Sequence, residues 1–220
     1  MKNVKVLRNG LIFDDAEDLN MALGQTINTE GGYSKWRISG GFFRLNYVFN
    51  DRYLLEVNGR LDGSSKFPSD SQYAFFPSVS AGWRVSQEPF WKVPEEIFSN
   101  LKVRASYGSL GNGNIDPYSF QELFKIKQSS LVLNGIRPQY TGQPAVIPLG
   151  LTWEKSTTLN LGLDFAFLSN RLQFSGDIYQ RKTTDMFTVG MSLPAVFGTD
   201  VPKGNYADLT TKGFELSVSW

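Results

Sequence analysis

The sequence predicts an all-β chain: an antiparallel meander of about seven long strands, of the kind that spans a membrane as the wall of a β-barrel. Three observations predict it. Apolar and polar residues alternate with period two in stretch after stretch, as a strand with one greasy and one wet face requires, because successive side chains point to opposite faces. The stretches run ~9–12 residues, above the ~5–6 typical of soluble sheets and near the ~9–11 of a tilted membrane strand. The connections are sided: the tight turns Asn50-Asp51 and Ser169-Asn170 fall at one end, and the long polar segments 62–73, 109–152 and 181–208 at the other. Short turns on one side and long loops on the other mark membrane barrels.

Composition agrees. Aromatics make up 14% of the 220 residues, with 17 Phe, 9 Tyr and 5 Trp, and there are 21 Gly, a mixture that favours strands and turns over helices. The net charge of +1 gives no polyanion signature, so no nucleic-acid partner is expected. The sequence has neither Cys nor His. That excludes a disulfide framework, thiolate or imidazole catalysis, and zinc held by Cys and His. No apolar run approaches the ~20 residues of a membrane helix. The start, MKNVKVLRNGLIFDD, lacks the apolar core of a signal peptide, so the chain reads as cytoplasmic or as an interior piece of an exported protein. The sided connections favour the second.

Residues 1–33 read as an external loop preceding the strands. Within it Asp14 or Asp15 caps a short helix through Leu23, closed by Gly24. The acids Asp14, Asp15, Glu17 and Asp18 lack the spacing of a calcium loop and suit a solvated helix start. Residues 34–220 carry the alternation. Phe43, Leu45, Tyr47 and Phe49 share a face, and Asn50-Asp51 turns the chain. Tyr53, Leu55, Val57, Gly59 and Leu61 then oppose Glu56, Asn58, Arg60 and Asp62. After the turn formers beginning Asp62-Gly63-Ser64-Ser65, Val79, Ala81, Trp83 and Val85 alternate with small polar residues and Arg84. The segment from Gln87 to Asn100 has two prolines and room for little more than a helical turn. Leu101, Val103, Ala105 and Tyr107 against Lys102, Arg104 and Ser106 make the cleanest strand.

GSLGNGNIDP opens a long external loop whose glycine spacing fits neither a phosphate loop nor a dinucleotide fingerprint. A small hairpin is expected within 118–152. The alternation resumes from Leu159 to Phe167, turns at Ser169-Asn170, and continues through Leu172, Phe174, Gly176 and Ile178. A last strand sets Phe214, Leu216, Val218 and Trp220 opposite Gly213, Glu215, Ser217 and Ser219.

Alternation alone also fits a soluble β-sandwich, such as a carbohydrate-binding module. Apolar-face aromatics tilt the balance. Tyr47, Phe49, Tyr53, Trp83, Phe165, Phe167 and Trp220 gather near the short-turn end, and Tyr73, Phe75, Tyr107 and Trp153 near the long-loop end. Rings favour the membrane–water boundary, so these resemble two girdles.

The wording of several runs is more specific. DRYLLEVNGRLDGSSKF, FFPSVSAGWRVSQEPFW, LKVRASYGSLGNGNI, LTWEKSTTLNLGLDF, RKTTDMF and the stretch from Asn205 to Glu215 resemble, in order and spacing, the SusC/RagA family of TonB-dependent outer-membrane transporters. The resemblance runs from about Gly31 to Trp220. It implies a cell outer-membrane location and a barrel of about twenty-two strands plugged by an N-terminal domain. It implies import of glycan fragments or peptides, with a SusD-like surface lipoprotein as lid and energy from TonB. No plug or TonB box is read here, so the chain is expected to be a partial segment of that barrel, in contact with outer-membrane lipid. The other barrel reading is a passive porin or adhesin.

On the polar face, Arg44, Asn46, Glu56, Asn58, Arg60, Asp62, Arg84, Lys102, Arg104 and Asp164 are the lumen candidates. Their mixed signs suit inter-strand pairing and plug contacts, so support of the wall is the first reading for each. Loop aromatics Trp36, Tyr118, Tyr140 and Trp153 are candidates for stacking on sugar rings, against a simpler role in loop packing. No enzyme is expected. Adjacent Glu95 and Glu96 diverge, and a Ser triad without His lacks its base. No cofactor is expected.

Overall fold

The computed structural model describes residues 2–8, 27–194, 196, 198 and 201–220. The chain forms two compact units, Met1–Arg37 and Ile38–Trp220. In the first, β1 (Lys2–Arg8) pairs antiparallel with β2 (Ile27–Tyr33), from Lys2↔Tyr33 to Arg8↔Ile27. These residues, expected as loop, are an antiparallel strand pair. The expected helix from Asp14 or Asp15 to Gly24, with its acidic group, lies outside the described residues.

The second unit is a seven-stranded antiparallel sheet. Its strands are β3 (Ile38–Phe49), β4 (Tyr53–Ser64), β5 (Tyr73–Arg84), β6 (Phe98–Asn112), β9 (Glu154–Phe167), β10 (Leu172–Val189) and β11 (Lys203–Ser219). They neighbour one another in chain order. A separate hairpin, β7 (Ile126–Gln128) with β8 (Gln139–Thr141), lies in the β6–β9 connection, where a small hairpin was expected. A short 3-10 turn, Val85–Gln87, follows β5. A 12-residue strand at ~3.3 Å per residue is ~40 Å long, and tilted by ~45° it covers ~28 Å, about the apolar band of an outer-membrane barrel.

The tight turns follow from local chemistry. Asn50 and Asp51 both take positive φ, 50° and 54°, and the Arg52 N–H donates to the Phe49 carbonyl at 3.0 Å. The two central residues of this tight turn are thus left-handed, a conformation that Asn and Asp tolerate better than other side-chain-bearing residues, and Phe49 pairs with Tyr53 across it. Ser169 and Asn170, at 54° and 65°, do the same between β9 and β10.

Several strands run further than the alternation suggests. β4 continues to Ser64, so Asp62-Gly63-Ser64 is strand and the connection is 65–72. β10 reaches Val189 and β11 begins at Lys203, which leaves only 190–202 of the expected 181–208 loop. The reason is compositional. Arg181, Lys182, Thr183, Thr184 and Asp185 are polar on both faces, so the period-two signal vanishes while the backbone ladder goes on. A register shift between Thr183 and Met186 accommodates Asp185, whose φ is 59° and whose N–H donates to Asp208 at 3.2 Å.

The register aligns the two faces across the whole sheet. One row reads Tyr47, Leu55, Ala81, Ala105, Leu161, Ile178 and Phe214. The next towards the loops contains Leu45, Val57, Val79, Tyr107 and Leu159. Nothing among the described residues packs over these rows: Leu45 is 61% exposed, Leu161 48% and Phe214 82%. A sandwich would bury them.

The buried core lies elsewhere, at the loop end. β5 and β6 pair only from Ser78↔Gly108 to Arg84↔Lys102, so Tyr73–Pro77 pair with β4 alone and Ser109–Asn112 with β9 alone. Pro77 has no N–H to give, and the Ser109 hydroxyl donates to its carbonyl at 3.3 Å. Phe67, Phe76, Ile115, Leu151 and Trp153 cluster there and tie the 65–72 connection to both ends of the 113–153 loop. Gly111 is required: a methyl group on it would fall on the Phe76 ring. Gly111→Ala is therefore expected to cost about 1–3 kcal/mol by overpacking. Adding Phe76→Val should return most of it, read from thermal unfolding of the full-length protein.

Candidate functional site

The polar face is built by the same register. Arg44, Asn46, Glu56, Asn58, Arg60, Asp62, Arg84, Lys102, Arg104 and Asp164 all lie on it. Antiparallel pairing brings Arg44 within 2.8 Å of Glu56, which also accepts from Asn58 at 2.8 Å. Asn46 sits opposite Glu56. Arg60 Nε spans both oxygens of Asp62 at 2.8 and 2.6 Å. Arg84 donates to the Asp51 carbonyl at 3.3 Å and stands opposite Lys102, which in turn stands opposite Asp164.

Arg104 is the hub. Its fork holds Asp164 with Nε to Oδ2 at 2.7 Å and Nη2 to Oδ1 at 2.9 Å. Nη2 also reaches Asp177 at 3.0 Å and Ser175 at 3.1 Å, and the Ser175 hydroxyl donates to Asp164 at 2.7 Å. Gly162 makes this geometry available. It stands directly opposite Arg104, and a Cβ there would lie 2.8 Å from the guanidinium carbon. The side chain thus lies flat over β9 and ties β6, β9 and β10 together. Asp177 and Ser175 were not singled out from the sequence, although Asp177 shares the polar face of its strand. Pairing across three strands is what reveals them.

Glu88, also missed, anchors the short-turn end. It is 9% exposed, accepts from the Tyr53 hydroxyl at 2.7 Å and the Trp83 indole at 3.0 Å, and faces Arg52 at 3.5 Å. It follows no periodicity, because it lies in the proline-containing connection. The Tyr53 hydrogen bond, then that of Trp83, holds its carboxyl below the usual carboxylate range against the opposing effect of burial. Its contribution to stability is thus complete above the unfolded value near ~4.3 and lost as pH falls through the lowered folded value. Glu88→Gln is expected to lower the thermal midpoint at pH 7, with the gap to wild type narrowing as pH falls below the unfolded value near ~4.3. A gap independent of pH would sink this assignment.

The loop aromatics belong to separate elements. Trp36 lies in the first unit, Tyr118 is half-buried at a turn, and Tyr140 is exposed on β8. Trp153 is buried against Phe67, ring centroids 4.7 Å apart, and donates to the Gln72 carbonyl at 3.3 Å. It packs the loop core rather than offering a face to a ligand or joining a girdle, because it precedes β9 at the point where β5 and β6 have parted. Among the described residues no group of three or more acids could hold a metal.

Known proteins resemble this chain in sequence and fold. Residues 7–220 match the sequence model of the family described as TonB dependent receptor-like, beta-barrel. TonB-dependent receptor P26 of Formosa agariphila is 38% identical over 189 residues, covering 85% of this chain and 18% of that protein. TonB-dependent receptor SusC of Bacteroides thetaiotaomicron is 35% identical over 188 residues, covering 81% and 18%. The solved structure of the RagAB peptide importer in its closed-closed state superposes with a TM-score of 0.77 at 25% identity, over 90% of this chain and 22% of that one. The siderophore receptor PirA from Pseudomonas aeruginosa, at 13% identity and TM-score 0.55 over 86% of this chain and 31% of that one, shares the fold alone. The chain spans about a fifth of the length of the curated relatives it matches.

Proposed function

The chain belongs to the TonB-dependent receptor β-barrel family, in its SusC/RagA-like branch of the outer membrane, and from that premise we propose that it is a wall segment of an energy-coupled importer. The cargo is a glycan fragment or a peptide, the lid is a SusD-like surface lipoprotein, and TonB supplies the energy. The single observation that carries this is the open apolar face. Seven strands present continuous apolar rows with no opposing layer among the described residues, which is stable only against hydrocarbon. The opposite face, with its paired charges, then lines the lumen, where Arg44, Arg60, Arg104, Glu56, Asp62 and Asp164 brace the wall against the plug. A passive pore would need no plug or TonB contact. The polypeptide that makes up the rest of the relatives' length has room for both.

The test uses the full-length protein. It is expected in the outer-membrane fraction, co-purifying with a surface lipoprotein. Uptake of the oligosaccharides or oligopeptides that support growth should stop when TonB is deleted. Uptake that continues without TonB would favour the passive pore, and recovery in the soluble fraction would overturn the membrane reading.

A further inference from the structure

We propose that Phe42, framed by the ion pairs Arg60–Asp62 and Arg44–Glu56, is a subsite on the lumenal wall that holds a neutral sugar ring of the cargo. The proposal rests on the importer reading and adds to it a place on the wall and a ligand chemistry.

Phe42 departs from the rest of its face. The register sets it directly opposite Arg60, between the pairs Gly40↔Asp62 and Arg44↔Asn58. From Gly40 to Asn46 on β3 and from Glu56 to Ser64 on β4, it is the one apolar side chain on the polar face. It is 85% exposed. The same cross-strand row runs on through Arg60 to Phe76. Phe76 is 5% exposed, because it belongs to the loop core and meets Trp153 edge-on with ring centroids 5.9 Å apart. One level of the wall thus carries two phenylalanines, one sealed by the loop core and one uncovered among the described residues. That level is nearer the loop end of β3 than its tight turn, on the side from which cargo arrives in the importer reading.

The groups around the ring are held in place. Gly40 gives the Asp62 carboxylate room to lie across β3, since a Cβ there would fall 2.6 Å from Oδ1. Asp62 then fixes Arg60 through Nε alone, and the rest of the guanidinium, mostly exposed, keeps further N–H donors. On the other side of Phe42, Glu56 holds Arg44 Nη2 with both oxygens, at 2.9 and 2.8 Å, and accepts from Asn58. Residues two apart on a strand are ~7 Å apart, so planar donors and acceptors border the ring on both sides at about the span of a hexose.

This combination suits a saccharide. Sugar hydroxyls both donate and accept, and the C–H face of a hexose presents partial positive charge to the negative face of an aromatic ring. A lone carboxylate is served less well, because the two guanidiniums are already matched by two carboxylates. An apolar peptide side chain would strip water from the polar groups beside it and give them no partner.

The test measures binding to the full-length protein in detergent by calorimetry, with neutral hexasaccharides of glucose, xylose, mannose and fructose as probes and an uncharged hexapeptide for comparison. At least one saccharide is expected to bind, with an affinity that hardly changes as salt rises from about 50 to 500 mM. Phe42→Leu keeps an apolar side chain but removes the aromatic face. It should weaken that binding about tenfold and leave the thermal midpoint unchanged, whereas Phe42→Trp should retain the affinity. Binding of none of the saccharides, undiminished binding by Phe42→Leu, or a Phe42-dependent affinity for the hexapeptide alone overturns the proposal. So does a lowered thermal midpoint in Phe42→Leu, which would make the ring a packing contact. Any of these results alongside intact TonB-dependent uptake leaves the importer reading standing.

Discussion

Leu163→Arg should destabilise the full-length barrel by about 2–4 kcal/mol, whereas Ser80→Arg should change it by less than about 1 kcal/mol. Leu163 is the middle of five apolar positions on β9, from Leu159 to Phe167, and stands between Val103 and Gly176. If that face meets hydrocarbon, an arginine there sits near the depth where its transfer cost is greatest. Ser80 lies on the other face, directly opposite Glu56, so a guanidinium gains a partner in a wet environment. The contrast matters more than either number. In a water-exposed sheet both arginines would be tolerated. Equilibrium unfolding in lipid vesicles reads the difference, and equal small effects would contradict the lipid-facing assignment.

The second large effect is at Arg104. Arg104→Ala removes the ion-pair partner that Asp164 and Asp177 share, leaving Asp164 only Lys102 across the strand pair and Asp177 no ion pair among the described residues, and one oxygen of Asp177 is already buried without a partner. A loss of about 2–3 kcal/mol is expected, below that of a fully buried pair because the Arg104 side chain is 33% exposed. Arg104→Lys should recover less than half, since a single ammonium cannot reproduce the fork that spans Asp164 and still reaches Asp177. Asp164→Asn/Asp177→Asn in the Arg104→Ala background should recover more than lysine does, because it removes the stranded charges. If lysine restores full stability, the fork geometry is not what holds β6, β9 and β10 together.

What the sequence disclosed follows the physics of each element. The strands whose two faces differ were legible throughout their membrane-height portions. Leu159, Leu161 and Leu163 against Asn160 and Gly162 leave no other reading. Their outer extensions were not legible: from Arg181 to Asp185 both faces meet water, so only the backbone ladder, which has no side-chain signature, defines the strand. Among the site residues, polar-face membership was readable by parity, which found Arg104 and Asp164. Their partner Asp177 required the β9–β10 register. Glu88 required knowing that Tyr53 and Trp83 are opposite each other, which no local pattern states. Trp153 went wrong in the other direction. Its parity fits a girdle, but the parting of β5 and β6 makes a gap that its ring helps to fill.

The most direct test of the central claim is single-cysteine scanning of β9 in the outer membrane, from Thr158 to Phe165, on a chain that has no cysteine of its own. Each cysteine carries a spin label, and accessibility to oxygen dissolved in lipid is compared with accessibility to a water-soluble nickel chelate. Labels at 159, 161, 163 and 165 should favour oxygen, with those at 158, 160, 162 and 164 favouring nickel or shielded from both. Apolar positions closed to oxygen, with no period of two, would contradict it.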